Sequence, residues 1–157
     1  MFEIRKVKSN EVDEALNLVH DVFIEFEAPD YKPEGVETFI QFLKDENVIN
    51  DFKSGTCPMY GAFDNGKIIG VIGMRETKKH INLAFVRKEY HRKGIATAIF
   101  QYLINDLQKE NLPISEITVN SSPYGYPFYL HLGFIPESEE KEKDGIRFTP
   151  MKYTISK

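Results

Sequence analysis

The stretch Leu83-Ala84-Phe85-Val86-Arg87-Lys88-Glu89-Tyr90-His91-Arg92-Lys93-Gly94-Ile95-Ala96-Thr97 joins an apolar run, a basic turn and the start of an amphipathic helix. Such an arrangement suits an anion. The first N–H groups of a helix have no partner within the helix, and the dipole favours negative charge there. Gly94 has no Cβ, so a ligand can approach its backbone closely, and Ala96 adds little bulk. Arg87, Lys88, Arg92 and Lys93 add cations to the same turn. The residues alone leave two readings open, a phosphate site and a solvated basic turn. They do exclude two phosphate motifs. The Gly-x-x-x-x-Gly-Lys-Ser/Thr loop is absent, and so are the three glycines of a dinucleotide fingerprint.

Elements must hold this turn in place. Phe2 to Val7 alternates like a short strand. Asn10 can cap a helix whose apolar positions run from Val12 to Phe26 at helical spacing, with Pro29 as its stop. Pro33 can start a second helix carrying Val36, Phe39, Ile40 and Leu43. Tyr60 to Phe63 and Ile68 to Met74 flank Asn65-Gly66, the favoured pair for a two-residue hairpin turn. Ile81 to Val86 reads as a buried strand. Ile95 to Leu107 reads as a long amphipathic helix closed by Pro113. Ile114 to Val119 is a further strand. A short helix from Pro127 to Leu132 ends at Gly133. Phe134 opens a strand, and Glu137 to Asp144 reads as a solvated hairpin loop. In the last strand the alternation slips at Pro150, which predicts a bulge or an edge position. The order is β-α-α-β-β-β-α-β-α-β-β. It predicts an α/β (or α+β) fold with a mixed, mostly antiparallel sheet and helices on both faces, in one domain over residues 1–157.

Composition narrows the partners. Of 157 residues, 41% are hydrophobic and 28% charged, an ordinary balance for a globular chain. A net charge of -4 argues against a general nucleic-acid binder. The start Met1 to Lys6 lacks an apolar signal core, and no apolar run is long enough for a bilayer. The expected setting is cytoplasmic, with no membrane partner. The single cysteine, Cys57, excludes an internal disulfide and a Cys-rich zinc site. His20, His80, His91 and His131 show no paired ligand spacing, so no metal is expected.

His91-Arg92-Lys93-Gly94-Ile95-Ala96 resembles the Gln/Arg-x-x-Gly-x-Gly/Ala motif of the GCN5-related N-acetyltransferase (GNAT) superfamily, with His at the first position. Pro127-Phe128-Tyr129-Leu130-His131-Leu132-Gly133-Phe134 resembles the late Phe-Tyr-x-x-x-Gly-Phe segment of the same family. The element order is also similar, so the resemblance spans nearly the whole chain. It implies an acyl-CoA N-acyltransferase-like fold in which Ile81–Val86 and Ile114–Val119 are parallel strands that splay apart around acetyl-CoA. It implies that backbone groups of Phe85 and Val86 bind the pantetheine arm. The loop His91, Arg92, Lys93, Gly94, Ile95, Ala96 and Thr97 would take the pyrophosphate, and Asn120 and Ser122 would line the other side.

The implied activity is direct transfer of an acetyl group from acetyl-CoA to a primary amine of a small molecule or a peptide N-terminus. Tyr129 matches the family's tyrosine near the cofactor sulfur. A phenol of pKa near 10 stays protonated at pH 7 and can protonate a departing thiolate. A core aromatic is the plainer reading of the same residue. An alkylammonium must lose a proton before it attacks, and His80 and Glu76 are the candidates to take it. Glu25, Glu27, Asp30, Tyr31 and Glu34 could hold a cationic acceptor or could simply form a solvated helix end. Tyr124 and Tyr126 could border the same cleft. Cys57 lies before Pro58 with no motif His nearby and reads as a bystander. The alternative function is a non-catalytic acyl-CoA sensor, suggested by His91. An RNA-binding α/β domain is a third reading, and its strands lack the basic-aromatic pattern. Monomer and homodimer are both open.

Overall fold

The computed structural model describes residues 2–155. Eight strands form one continuous arrangement in the order β1-β2-β3-β4-β5-β8-β6, with β7 paired to β8 alone. The strands are β1 (Phe2–Lys6), β2 (Met59–Asp64), β3 (Lys67–Met74), β4 (His80–Val86), β5 (Glu116–Ser121), β6 (Ile135–Pro136), β7 (Lys141–Lys143) and β8 (Ile146–Thr154). The helices are α1 (Val12–Phe26), α2 (Pro33–Lys44), α3 (Glu46–Ser54), α4 (Ile95–Lys109) and α5 (Tyr126–Leu132). All strand pairs are antiparallel except β4 and β5.

Two apolar clusters cover the two faces of the sheet. Ile99, Phe100, Leu103 and Leu107 of α4 pack with Ile69, Ile72, Ile117 and Met151 on one face. Val12, Leu16, Val19 and Phe23 of α1 pack with Ile68, Val71, Leu83 and Phe85 on the other. The β2–β3 turn is the one the Asn-Gly pair predicts. Asn65 and Gly66 have φ of 52° and 85°, the positive angles a two-residue primed turn requires.

The feature that positions the site lies in β4. Gly73 opposes Leu83 and Met74 opposes Ile81, so Asn82 is an extra residue in the ladder, a β-bulge. In a regular strand Ile81 and Leu83 would share a face. Here Ile81 joins the α4 cluster and Leu83 the α1 cluster, so the pleat changes phase at Asn82. The parallel ladder with β5 consists of His80 opposite Thr118 and Ile81 opposite Val119, and it stops there. Beyond the bulge the two strands part.

Several boundaries differ from the sequence reading. Glu11, rather than Asn10, organises the start of α1. Its carboxylate accepts from Lys8 N–H at 2.8 Å and from both terminal nitrogens of Arg5 at 2.9 Å. A short 3-10 turn, Ala28–Asp30, then precedes α2. The reading missed α3, which Asp45 caps by accepting from Asn47 N–H at 2.8 Å and Gly55 closes with φ of 82°. It also missed β7, where Asp144 and Gly145 (φ 53° and 79°) make a tight turn into β8. β5 starts at Glu116 instead of Ile114, because residues 112–114 turn through an Ile114 N–H to Leu112 bond of 2.8 Å. The slip expected at Pro150 is absent. The β5–β8 register runs without a shift from Glu116–Thr154 to Ser121–Thr149. The Pro150 carbonyl accepts from Glu137 on the β6 side, at 2.8 Å. The ring therefore faces the side where β6 has ended and no further N–H is needed.

The β7–β8 turn docks on the start of α2. Lys32 N–H donates to the Gly145 carbonyl at 3.0 Å, and Lys32 pairs with Glu142 at 2.7 Å. Gly35 sits directly against this turn, and a Cβ there would collide with the Gly145 carbonyl. Gly35→Ala sets helix propensity, a gain of about 1 kcal/mol, against overpacking on backbone that costs about 1–3 kcal/mol. The clash is with main chain at both ends, so a net loss is expected. Thermal denaturation should show Tm lowered by up to roughly 8 °C. An unchanged or raised Tm would show that the turn yields freely.

Candidate active site

A cavity of about 890 Å³ opens where β4 and β5 part. One wall is the β4 segment from His80 to Val86. The opposite wall comes from β5 and the loop into α5, with Val119, Asn120, Ser122, Tyr124 and Tyr129. The start of α4 closes one end with Arg92, Gly94, Ile95, Ala96 and Thr97. Glu27 and Tyr31, with Phe39 and Phe42 of α2, close the other.

The loop before α4 has the conformation of an anion cradle. Arg92 and Gly94 have φ of 64° and 74°. Positive φ at intervals curls successive N–H groups toward one point. The first backbone bond of α4 runs from Ala98 N–H to the Gly94 carbonyl at 3.0 Å. The N–H groups of Ile95, Ala96 and Thr97 precede it and have no backbone acceptor among the described residues. A Cβ built on Gly94 would meet nothing within 4 Å, so the concave side is open. These donors fit a pyrophosphate.

The basic cluster divides on inspection. Arg87 donates from Nε to the Ile68 carbonyl at 3.1 Å, and Lys88 pairs with Glu25 at 3.2 Å. Lys93 lies over the Tyr90 ring at 5.6 Å and is outside the cavity wall. Arg92 is the cation of the four that lines the cavity.

His91 is fixed at both ring nitrogens. Nε2 lies 2.7 Å from the Val86 carbonyl, which can only accept, so Nε2 carries the hydrogen. In the neutral ring Nδ1 then accepts from the Tyr124 hydroxyl at 3.3 Å. Phe26 of α1 packs on both rings, with centroids 5.0 Å from His91 and 5.1 Å from Tyr124.

Tyr129 is buried in the wall between Phe128 and Phe134, each ring centroid 5.3 Å away. Burial, then the charge of Glu27 and the neighbouring Tyr31, push its phenol well above the ordinary value. It keeps its proton at neutral pH. His80 donates from Nδ1 to the Thr118 hydroxyl at 2.7 Å, while that hydroxyl reaches the Lys79 carbonyl at 3.3 Å. Burial, then Arg75, lower its pKa to about 4, so the ring is neutral at pH 7 and a weak base. Glu76 is exposed in the β3–β4 turn and does not line the cavity. Cys57 is buried away from the cavity, and burial raises its thiol pKa. Asn120 lies in the wall and Tyr126 outside it.

Sequence reasoning placed Glu27 in a loose acidic cluster, and the structure separates it from the rest. Glu25, Asp30 and Glu34 do not line the cavity; Glu27 does, as its single carboxylate among the described residues. Desolvation, opposed by a hydrogen bond from Ser122 and aided by Asp30, pushes its carboxyl up to about 7. Ser122 accepts from Gly125 N–H at 3.0 Å, which leaves its own hydrogen available to Glu27. The sequence carried no signal for this pairing, since the partners come from α1 and the loop after β5. No group of three or more His, Cys, Asp or Glu that could hold a metal exists among the described residues, and no helix there is long and apolar enough to cross a membrane.

A mixed sheet with a parted parallel pair, and a cradle of helix N–H groups at one end of the gap, define an acyl-CoA N-acyltransferase-like architecture. Residues 27–155 match the family model described as the acetyltransferase (GNAT) domain, and the chain belongs to that family. Solved structures share the fold at low identity. A GCN5-related N-acetyltransferase (aminotransferase, class-II) from Rhodopseudomonas palustris is 17% identical, with 97% of this chain and 94% of that one covered and a TM-score of 0.80. The PaiA N-acetyltransferase of Thermoplasma acidophilum, in complex with coenzyme A, is 21% identical over 98% and 99% of the two chains, with a TM-score of 0.75. An aminoglycoside 6'-N-acetyltransferase complexed with coenzyme A is 13% identical over 99% and 98%, with a TM-score of 0.66. No curated protein sequence matches the chain.

Glu27 also makes a prediction about stability. Its folded pKa of about 7 stands above its ordinary value of 4.5. A raised carboxyl favours the fold at low pH, and that contribution is lost as pH rises through 7. Glu27→Gln keeps the size without the buried charge. Its Tm should exceed that of the wild type by a few °C at about pH 8.5, and the gain should shrink at about pH 5. A gain independent of pH would mean that Glu27 is not desolvated.

Proposed function

We propose that this chain is an acetyl-CoA-dependent N-acetyltransferase that moves the acetyl group directly to a primary amine. The observation that carries this reading is a single cavity. Its lining runs from Ile95, Ala96 and Thr97 at the start of α4 to Tyr129, through the gap between β4 and β5. Bound acetyl-CoA supplies an acetyl thioester. The N–H groups of Ile95, Ala96 and Thr97, with Arg92, bind its pyrophosphate. Backbone groups of Phe85 and Val86 hold the pantetheine arm, and Asn120 lines the far side. One lone pair of the Val86 carbonyl is already taken by His91. Tyr129 holds a proton at Oη where charge builds on the departing sulfur, and its raised pKa keeps that proton in place until then.

The acceptor half of the cavity narrows the amine. Its wall is mainly apolar and aromatic, from Val22, Tyr31, Phe39 and Phe42, with Glu27 as the one carboxylate. Arg75 and Arg92 line the same cavity. One ammonium beside an apolar body fits this wall, whereas a polycation would find no second carboxylate among the described residues. The apolar relation argues for a monoamine of aromatic or aliphatic body, and a peptide N-terminus after an apolar residue meets the same description.

The test follows thiol release from acetyl-CoA with a panel containing an arylalkyl monoamine, an apolar peptide N-terminus, spermidine and an aminoglycoside. The first two should turn over with the lower KM. Acetyl-CoA binding with no thiol release for any amine would sink the enzyme reading and leave a sensor. Tyr129→Phe should lower kcat by about 10²–10⁴-fold while equilibrium binding of acetyl-CoA is kept. An unchanged kcat would remove Tyr129 from the chemistry.

A further inference from the structure

We infer that Glu27 is the group that takes the proton from the acceptor's ammonium, with Ser122 as its positioning residue and Tyr129 as the acid coupled to it. The inference rests on the N-acetyltransferase reading above and deepens it.

Three features tie these residues into one unit. Glu27 is the single carboxylate of the cavity wall among the described residues, so an ammonium entering the acceptor half has one anionic partner there. Ser122 is seven per cent exposed, receives the Gly125 N–H at 3.0 Å and has its own hydrogen left for Glu27. Gly125 is itself held against both partners. A Cβ on it would lie 3.2 Å from Ser122 Oγ and 3.2 Å from the Tyr129 ring. The orienting hydroxyl and the acid therefore meet around one tight turn before α5, and Glu27 lines the same cavity from the end of α1. The alternatives are less suited. His80 spends Nδ1 on Thr118 and is held near a pKa of 4, and Glu76 lies outside the cavity.

The charged and titratable groups around Glu27 come from every element that meets it. Asp30, in the turn after α1, opposes its charge. Tyr31 follows that turn, Tyr124 and Tyr129 come from the loop after β5 and from α5, and each feels the carboxylate. Glu25 of α1 and Arg92 of the α4 loop act on Tyr124 from either side, and His91 bonds to it. No cation is bonded to Glu27 in the hydrogen bonds and ion pairs of the described residues.

The proton balance is closed. The acceptor ammonium loses two protons in becoming an amide. The first passes to Glu27, and the freed nitrogen lone pair forms the N–C bond as the C–S bond breaks and its electron pair stays on sulfur. Sulfur takes the Tyr129 proton, and the second amine proton restores the phenol. Glu27 returns its proton to water. The two steps reinforce each other. The Glu27 charge is one reason the Tyr129 proton is held tightly. When Glu27 becomes neutral, that hold weakens, so Tyr129 becomes a better acid after the amine has been deprotonated.

The test measures kcat/KM against pH by thiol release, with acetyl-CoA and the best monoamine of the panel. The wild type should rise with unit slope and level off above about pH 7. Glu27→Gln should fall about 10²–10⁴-fold at neutral pH and keep rising with pH toward the amine's own pKa of about 10. With a weakly basic arylamine, already neutral at pH 7, the same variant should lose far less. Ser122→Ala removes a bond that favours the charged carboxylate, so its acid limb should shift to higher pH. A Glu27→Gln profile that keeps the wild-type limb, or an equal loss with both amines, overturns the inference while leaving the enzyme reading intact. A wild type that acetylates no amine overturns the enzyme reading, and this inference with it.

Discussion

The site depends on one extra residue in a strand. Parallel strands pair by evenly spaced hydrogen bonds, and nothing in the apolar content of β4 and β5 stops that ladder from continuing. The bulge at Asn82 stops it. It bends β4, reverses the pleat between Ile81 and Leu83, and ends the pairing after Ile81 and Val119. Unpaired backbone is thereby exposed to a cavity instead of to another strand. The arrangement has a cost. Asn82 Oδ1 is buried without a hydrogen-bond partner, which is worth about 1–3 kcal/mol against the fold. Unsatisfied polar atoms of this kind gather where function opposes packing. Register with β3 on one side, and the two cores above and below, hold the bulged segment in place.

Much of this was legible in the residues, and the limits are physical. Long amphipathic periods gave α1 and α4, because burying one stripe of a helix constrains its sequence at every turn. Asn65-Gly66 gave the hairpin, because few residues accept positive φ twice. The anion loop was legible from Gly94 and its helix start. In contrast, β7 is wholly charged and exposed, so no alternation betrays it; its one signal was Asp144-Gly145, a turn pair as strong as Asn65-Gly66. A single residue, Asp45, separates α3 from α2, and its mark was that residue as a cap. The bulge at Asn82 left no trace in composition, since it is a matter of register between strands. The pairing of Glu27 with Ser122 was illegible for the same reason. Local sequence shows which residue types exist, and only the topology shows which are dry.

The charge pattern also changes meaning once the fold is known. Four cations in one turn suggest side chains gathered around an anion. Arg87 is a strut to β3, Lys88 answers Glu25, and Lys93 covers Tyr90. What faces the cavity is Arg92 and a set of backbone N–H groups. Fixed dipoles of this sort cost nothing to orient when an anion arrives, whereas lysine side chains would have to be ordered. Binding by backbone tolerates sequence change at the flanking positions.

That tolerance accounts for His91, the one departure from the family's loop pattern. A side chain there need not touch an anion to matter. Through Nε2–H it bonds the carbonyl of Val86, the last residue of β4, and through Nδ1 it receives Tyr124 from the opposite wall. The two bonds span the gap that the bulge opens, and Phe26 packs on both rings from α1. His91 thus sets the distance between the cradle and the wall that carries Ser122 and Tyr129. A longer, more flexible side chain could make one of those bonds; a rigid ring with two nitrogens on different edges makes both. The substitution keeps the loop's geometry by a different means.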